Sequence, residues 1–465
     1  MTSAALPEGL LVAFYGDDFT GSTAVMEVMT FAGLPTMLFL EPPGDAEAAA
    51  LRGCRCIGVA GVARSQPPEW MQRELPPVFS ALERLHAPVT HYKICSTLDS
   101  SPTIGSIGAA IDLMAPILAE RPGAADWQPF VVAAPANRRY QAFGNLFATL
   151  GGTTHRLDRH PVMRRHPVTP MDEADVRDHL SRQTRRPMGL VDLVAMKTGR
   201  AEAALAAALE KGERLIAIDV VDDETLAIAG ALIWSHREAG IFAVGSQGVE
   251  YALVAHWRKA GLLPPPPHFP RAGEVEQIAV VSGSVSGVTA EQIAYGLARG
   301  FDFVALDVAR AVDPAAWAAE VDRAAEQAKR IVSEGRSPIV ATALGPEDPA
   351  VPRLAQALAA RGASSADVNR RIGEGLGATL GRVLRETGLR RGAVLGGDSS
   401  GHACHALGVR ALQAVAPIAP GSPLCRIHSD DSIDGAEIAL KGGQMGGPDI
   451  LEAIRAGGAI EKGSA

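Results

Sequence analysis

Two adjacent carboxylates, Asp17 and Asp18, stand where an apolar run at residues 10–14 gives way to a small-residue turn at residues 20–22 and then to a helical pattern. A carboxylate in this position can orient a hydroxyl or remove its proton. An aspartate can also simply cap the helix. Because neighbouring acids repel each other and one cap is enough, we expect at least one of the two to take part in chemistry. Which of them does so stays open.

Three glycine-rich turns in the second half of the chain are typical of phosphate binding. Each follows a strand-like run and precedes a helical pattern, and they occupy residues 282–287, 395–401 and 441–447. Unpaired N–H groups and the helix dipole favour an anion at a helix N-terminus. Glycine allows the anion to approach the backbone closely. We therefore expect a phosphate or nucleotide site.

The turns match neither the G-x-x-x-x-G-K-[ST] pattern nor the G-x-G-x-x-G pattern, so a bound nucleotide would not lie in a P-loop or a dinucleotide fingerprint. Asp398 is the one acid within these turns. It is a candidate for holding Mg²⁺ on phosphates. It could equally be a helix cap.

Strand-like runs alternate with helical patterns along the whole chain, which indicates an α/β fold. In the first half, several runs end in polar or charged residues, including Arg64, the loop at residues 96–101 and the turn at residues 137–139. Ligands of open α/β sheets bind beyond the carboxyl ends of the strands. These residues should therefore share one edge of a sheet with Asp17 and Asp18.

A proline-rich stretch at residues 263–270 marks a domain boundary, as a stiff extended connector. With 465 residues, the chain also exceeds what one hydrophobic core usually supports. We expect a first domain at residues 1–262, a linker at 263–275 and a second domain at 276–465. Each should be a mostly parallel sheet flanked by helices, with an interdomain cleft where a ligand can be shielded from water.

The net charge, the cysteines and the apolar stretches of the chain argue against several classes of protein. The net charge of −8 argues against nucleic-acid binding. Five scattered cysteines do not form a disulfide framework and fit a reducing compartment. No secretory signal and no apolar stretch of transmembrane length is visible. We expect a cytoplasmic protein without a membrane partner.

Histidines and arginines crowd residues 155–166. Such a run is usually a solvated loop, and the alternative is a lid that brings cations toward an anionic substrate. No pair of histidines here shares a helix face at i, i+4, so we propose no metal site.

The motifs DDFTG, YKICST, GSVS, GGDSS and KGGQMGG occur in this order along nearly the whole chain. Together they resemble the four-carbon acid sugar kinase family, whose members are ATP-dependent kinases of threonate-, erythronate- and oxo-tetronate-like acids. The resemblance implies that the first domain binds the sugar acid and the second binds ATP.

The family's functional residues carry over to matching positions. Asp17 and Asp18 correspond to its acidic pair, and the resemblance implies that they are catalytic. The substrate-binding positions are Arg64, Lys93, Ser96, Thr97 and Arg139. The nucleotide-binding positions are Ser284, Ser286, Gly396, Gly397, Asp398, Ser399, Lys441, Gly443 and Gly446.

The chain departs from the family pattern at four places in the first domain. The family usually has aspartate at Cys95, an arginine-glycine pair at residues 99–100, an acid at Ala24 and glycine at Arg138. These changes alter which hydroxyls and carboxylates the site can match. They indicate a branch with a different substrate, such as the branched or oxidised acid 3-oxo-isoapionate.

We therefore expect a kinase that uses ATP and Mg²⁺ to phosphorylate a terminal hydroxyl of a four- to five-carbon sugar acid. Arg64, Lys93 and Arg139 would hold the carboxylate, and Asp17 or Asp18 would act on the hydroxyl. The alternatives are a non-catalytic sugar-acid or nucleotide binding protein and a sugar-acid dehydrogenase. The oligomeric state stays open, with a homodimer among the options.

Overall fold

The computed structural model describes residues 5–44, 47, 51 and 53–459, except the side chain of Asp398. The chain divides into two compact units, Met1–Pro267 and His268–Ala465. Each unit has its own group of parallel strands and its own hydrophobic core. The expected fold class, two α/β domains with mostly parallel sheets flanked by helices, is confirmed.

The main sheet of the first unit has eight strands in the order β2-β3-β1-β4-β11-β5-β10-β9. All of its pairings are parallel. Helices cover both faces of such a sheet, and accordingly every residue of the central strand β1 is buried. The strands of this unit, in chain order, are β1 Val12–Gly16, β2 Thr36–Phe39, β3 Cys56–Ala60, β4 Val89–Lys93, β5 Gln128–Val131, β6 Arg139–Ala142, β7 Asn145–Leu150, β8 Thr153–Arg156, β9 Met188–Val191, β10 Leu215–Ile218 and β11 Ile241–Gly245.

Strands β6, β7 and β8 form a separate antiparallel sheet that follows β5 in the chain. The α-helices of the first unit are Phe19–Phe31, Pro68–Glu83, Ile107–Ala119, Val176–Ser181, Leu193–Lys197, Ala201–Glu210, Asp223–Ser235 and Gly248–Lys259. Side chains such as Met71, Phe79, Ile111 and Phe242 form its core together with residues from the small sheet, including Leu146 and Ala148. The small sheet is thus anchored to the main one by apolar packing.

The second unit, which follows Pro267, has seven strands among its described residues. These strands are hydrogen-bonded in the order β13-β14-β12-β15-β18-β17-β16. The pairings from β13 to β18 are parallel, and the pairings of β18 with β17 and of β17 with β16 are antiparallel. The strands are β12 Ala279–Ser282, β13 Phe301–Ala305, β14 Ser337–Ala341, β15 Arg391–Leu395, β16 Ala411–Ala419, β17 Ser422–His428 and β18 Glu437–Lys441. The helices are Gly287–Leu297, Pro314–Ser333, Ala350–Arg361, Ser365–Thr387, Gly397–Leu407 and Ile450–Arg455.

Within the described part of the chain, no helix has both the length and the apolar character needed to cross a membrane. The structure describes all five cysteines, and none of them forms a disulfide. Cys54 and Cys56 are both buried, Cys56 at the start of β3 and Cys54 just before that strand.

Candidate functional site

The first cluster of predicted residues lies where the strand order of the first unit reverses. Strand β1 pairs with β3 on one side and with β4 on the other. Asp17 and Asp18 follow β1, Arg64 lies in a 3₁₀ turn that follows β3, and Lys93 ends β4. In open α/β sheets, such a switch point at the carboxyl ends of the strands is where ligands bind. The fold therefore brings these four residues together.

Arg64 is held by both aspartates. Its Nε and Nη2 donate to Oδ2 and Oδ1 of Asp17 at 3.2 and 2.6 Å, and the same Nη2 lies 2.5 Å from Oδ1 of Asp18. Planar, two-pronged bonds of this kind are the strongest that arginine makes with a carboxylate. The positive charge of Arg64 is thus already matched within the protein.

The two aspartates differ in their access to solvent. The side chain of Asp17 is 2% exposed, whereas that of Asp18 is 26% exposed. Burial raises the pKa of the Asp17 carboxyl, and the nearby charge of Arg64 opposes that rise. Only Asp18 can meet a ligand from the solvent side.

Asp18 also caps the helix Phe19–Phe31, because its Oδ1 accepts a hydrogen bond from the Gly21 N–H at 3.1 Å. Its other oxygen, Oδ2, makes no hydrogen bond with any residue that the structure describes. The capping role and a catalytic role are therefore compatible, since they use different oxygens of one carboxylate.

Lys93 is buried beside this acidic pair, and its Nζ donates to the Ile94 carbonyl at 2.8 Å. A Cβ at Gly21 would lie 2.3 Å from Oδ1 of Asp18 and 2.5 Å from Nζ of Lys93. Glycine is needed there because a side chain would push both groups away.

The loop after β4 carries Ser96 and Thr97. Ser96 is half-buried and Thr97 is buried, with the Thr97 hydroxyl 3.1 Å from the sulfur of Cys95. The departure at Cys95 thus lies among the predicted substrate residues. Arg139, at the start of β6, is also half-buried. Its guanidinium interacts electrostatically with Cys95.

The histidine- and arginine-rich segment is only partly a solvated loop. Its arginines are exposed, but His160 is buried, and Leu157 and Met163 pack into the core. Contacts between this segment and the loop after β4 include a hydrogen bond from Thr169 to Asp99. A cleft of about 630 Å³ in this region is lined by Asp158, Arg159, Arg164, Pro170, Met171 and Asp172, none of them a predicted site residue.

The three glycine-rich turns of the second unit follow three neighbouring parallel strands, β12, β15 and β18. Backbone bonds join them: the Gly283 N–H donates to the Leu395 carbonyl at 3.0 Å, and the Gly396 N–H donates to the Lys441 carbonyl at 2.8 Å. The turns therefore form one continuous backbone surface at one edge of this sheet.

Lys441 is buried at the base of this surface. Its Nζ donates to Thr289 Oγ1 at 3.0 Å and to Gln292 Oε1 at 2.6 Å, both neutral partners. Among the described residues, no carboxylate forms an ion pair with it. Burial lowers the pKa of Lys441 to about 8. A buried ammonium without a counter-charge is suited to binding an anion.

The serine turn is tied to the glycines of the last turn. Ser286 caps the helix Gly287–Leu297 by accepting from the Thr289 N–H at 3.1 Å, and its Oγ donates to the Gly443 carbonyl at 2.5 Å. The amide of Gln292 reaches the carbonyls of residues 445–447 at 2.9 to 3.1 Å. A Cβ at Gly443 would lie 3.0 Å from the Ser284 hydroxyl.

The middle turn is equally tight. Gly396 has φ +141°, and a Cβ there would lie 2.4 Å from the Ser399 hydroxyl; Gly446 also has a positive φ, +80°. Gly397, Asp398 and Ser399 begin the helix Gly397–Leu407. The side chain of Asp398 lies outside the described structure, so its suggested role as a metal ligand or cap stays a prediction.

Sequence reasoning did not single out Thr289 and Gln292, although they hold Lys441. The available signal was two polar side chains three residues apart in a helix that directly follows a glycine-rich turn. The sequence pattern also gave no individual role to His160, because this residue lies in a segment without periodicity.

Comparisons with known proteins follow the same division of the chain. Residues 12–253 match the sugar-binding N-terminal domain family and residues 279–451 match the nucleotide-binding C-terminal domain family. A 3-oxo-isoapionate kinase of Paraburkholderia graminis is 46% identical over 98% of this chain and 96% of its own length. A 3-oxo-tetronate kinase of Cupriavidus necator is 30% identical over 98% of this chain and 99% of its own.

Solved structures show the same fold. A crystal structure from Salmonella typhimurium LT2 has a TM-score of 0.73 at 24% identity and covers 96% of this chain and 98% of that one. A structure of a Haemophilus influenzae protein has a TM-score of 0.71 at 22% identity, over 95% and 99% of the two chains.

Proposed function

Because the chain belongs to the family that joins a sugar-binding N-terminal domain to a nucleotide-binding C-terminal domain, we propose that it is an ATP-dependent kinase of a small sugar acid. Its curated relatives are kinases of 3-oxo sugar acids, and it matches them over nearly their full length. In this proposal the first unit binds the acid and the second binds ATP.

Lys441 is the observation that carries the proposal. It is a buried cation with neutral partners, placed beneath three glycine-rich turns whose backbones are hydrogen-bonded to one another. Such a surface fits a chain of phosphates, which would supply the missing negative charge and accept hydrogen bonds from N–H groups of the turns. A Cβ at Gly396 would meet the Ser399 hydroxyl and one at Gly443 the Ser284 hydroxyl, so glycine at these positions lets the two serines lie against the turns.

On the acceptor side, Asp18 would act on the hydroxyl that attacks the phosphorus. Its Oδ2 is the oxygen available to take that proton, whereas both oxygens of Asp17 are bound by Arg64. Asp17 would then be a positioning residue that fixes Arg64, and Arg64 in turn fixes Asp18. Phosphoryl transfer needs mainly such positioning and charge neutralisation.

Mg²⁺ would accompany the phosphates. In kinases this ion is usually held by phosphate oxygens, waters and one or two carboxylates, and Asp398 is the acid that the turns offer. We also place the protein in the cytoplasm, because five cysteines without a disulfide suit a reducing compartment.

The test is ADP release, measured with a coupled assay over a panel of four- and five-carbon sugar acids. 3-Oxo-isoapionate comes first, because the relative from P. graminis is named for it. We expect turnover that depends on both ATP and one acid of the panel, with the phosphate on a terminal hydroxyl by NMR. Acid binding without ADP release would indicate a binding protein, and NAD(P)-dependent absorbance change would indicate a dehydrogenase.

A further inference from the structure

One face of the small antiparallel sheet gathers Arg139, which the sequence already suggested as a carboxylate ligand, and histidines to which the proposed function gives no role. Arg139 on β6 pairs with Ala148 on β7, and Ala148 pairs with His155 on β8. Directly paired residues of neighbouring strands point to the same face. Arg139 and His155 therefore flank the small side chain of Ala148, on the face that packs toward the core.

Arg139 has no acidic partner in the described structure. Its Nη1 donates to the carbonyls of Asn137 and Arg138 at 3.1 and 3.2 Å, and its Nε is buried without any hydrogen bond. A buried N–H that lacks a partner is costly, about 1–3 kcal/mol. A ligand oxygen would satisfy it.

His160 lies at the same place and offers a donor of fixed orientation. Its ring packs edge-on against His155, with centroids 5.8 Å apart. Its Nδ1 accepts from the N–H groups of Val162 and Met163, each at 3.3 Å, so a neutral ring carries its proton on Nε2. Burial and the charge of Arg139 both lower the pKa of His160, which favours that neutral form.

Arg64 is a poorer anchor for a ligand carboxylate, because Asp17 and Asp18 already match its charge. Cys95, in the predicted substrate-binding loop, interacts electrostatically with both Arg64 and Arg139, so both arginines lie within electrostatic range of this loop.

We propose that His160 and Arg139 together bind the carboxylate of the sugar acid, His160 through Nε2–H and Arg139 through its unpaired N–H groups. This assignment rests on the proposed function, and it makes Arg64 a positioning residue instead of a carboxylate ligand. His160 would thereby help to determine that the enzyme selects acids.

The experiment compares an accepted sugar acid with its primary amide in the full-length protein, by calorimetric binding and by ADP release. We expect the wild type to prefer the acid by tenfold or more. In R139Q that preference should fall to within about threefold, with KM for ATP unchanged. R159Q is the matched control, because Arg159 is an exposed arginine next to His160, and it should keep the preference.

H160N tests the histidine separately. The Asn oxygen can still accept from the backbone N–H groups that Nδ1 serves, so the fold should persist, but the Nε2 donor is lost. We expect KM for the acid to rise about tenfold with kcat and KM for ATP unchanged. Thermal melting checks that the variant is folded.

The outcomes are separable. If the wild type binds and discriminates the acid but R139Q and H160N do so equally well, this assignment is overturned while the kinase proposal stands. If the wild type binds the acid without releasing ADP, the kinase proposal fails while the binding comparison still decides the carboxylate site. If no acid of the panel binds to the wild type, both are overturned.

Discussion

Arg64 binds both carboxylate oxygens of Asp17, at 3.2 and 2.6 Å, although the two residues lie 47 positions apart in the chain. Because of this interaction, we assign Asp17 a positioning role and Asp18 the role of proton acceptor. Arg64 engages both oxygens of Asp17, whereas Oδ2 of Asp18 makes no hydrogen bond with the described residues and can meet a ligand.

The acidic pair should respond to substitution at Asp18. Asn caps helices about as well as Asp, so D18N should keep the fold while losing the proton acceptor. We expect kcat to fall about 10²- to 10⁴-fold with little change in KM for ATP, measured by steady-state ADP release. Full turnover by a folded D18N enzyme would show that Asp18 is not the base.

Arg64 should control the protonation of Asp17. Burial raises the pKa of Asp17 and Arg64 opposes that rise, so R64Q should raise the pKa further. The native state would then hold a proton that the unfolded chain releases above pH of about 4, so stability should fall as pH increases. Urea unfolding at pH 5 and 8 should show a larger fall for R64Q than for R64K, which keeps the charge. Equal falls in both variants would contradict this account.

Lys441 should make nucleotide binding and stability depend on pH in opposite directions. Its pKa is about 8 in the fold and ordinarily 10.5, so between these values the unfolded chain binds more protons. Stability of the nucleotide-free protein should therefore rise with pH in this window, by at most about 3 kcal/mol, as the cost of the buried charge is relieved.

Over the same window the affinity for ATP should fall, because the cation that binds phosphate is lost. K441M is the matched comparison, since it keeps the length of the side chain without the charge. It should bind ATP weakly at every pH and lack the rise in stability. Calorimetry and urea unfolding from pH 7 to 10 measure both, and a wild type whose ATP affinity is flat across pH 8 would exclude Lys441 as the phosphate-binding cation.

Arg138 should be a site of backbone strain. It has φ 57° in the left-handed region, where a non-glycine residue costs about 1–2 kcal/mol. R138G should relieve this cost, and after the greater entropy of glycine in the unfolded chain is subtracted we expect a gain of up to about 1 kcal/mol. R138A keeps the Cβ and should gain nothing, which separates the backbone effect from loss of the exposed side chain. Equal melting temperatures for R138G and R138A would show that the turn is unstrained.

The pattern of apolar runs predicted the two-domain α/β fold because each strand is buried on both faces and is therefore apolar throughout. It also placed Asp17, Arg64 and Lys93 after or at the ends of strands. The irregular segment around His160 could not be predicted, since its burial comes from packing of Leu157 and Met163 and not from a periodic pattern.

The sequence by itself determined the elements, the order of the glycine-rich turns and the types of residue at each strand end, because these depend on interactions within a few residues. Only the tertiary structure decided that Arg64 is neutralised by Asp17 and Asp18, that Lys441 has neutral partners, and that Arg139 has no acidic partner among the described residues. Charge balance inside a protein depends on which distant groups share a buried volume, and that is set by how the strands are ordered in the sheet.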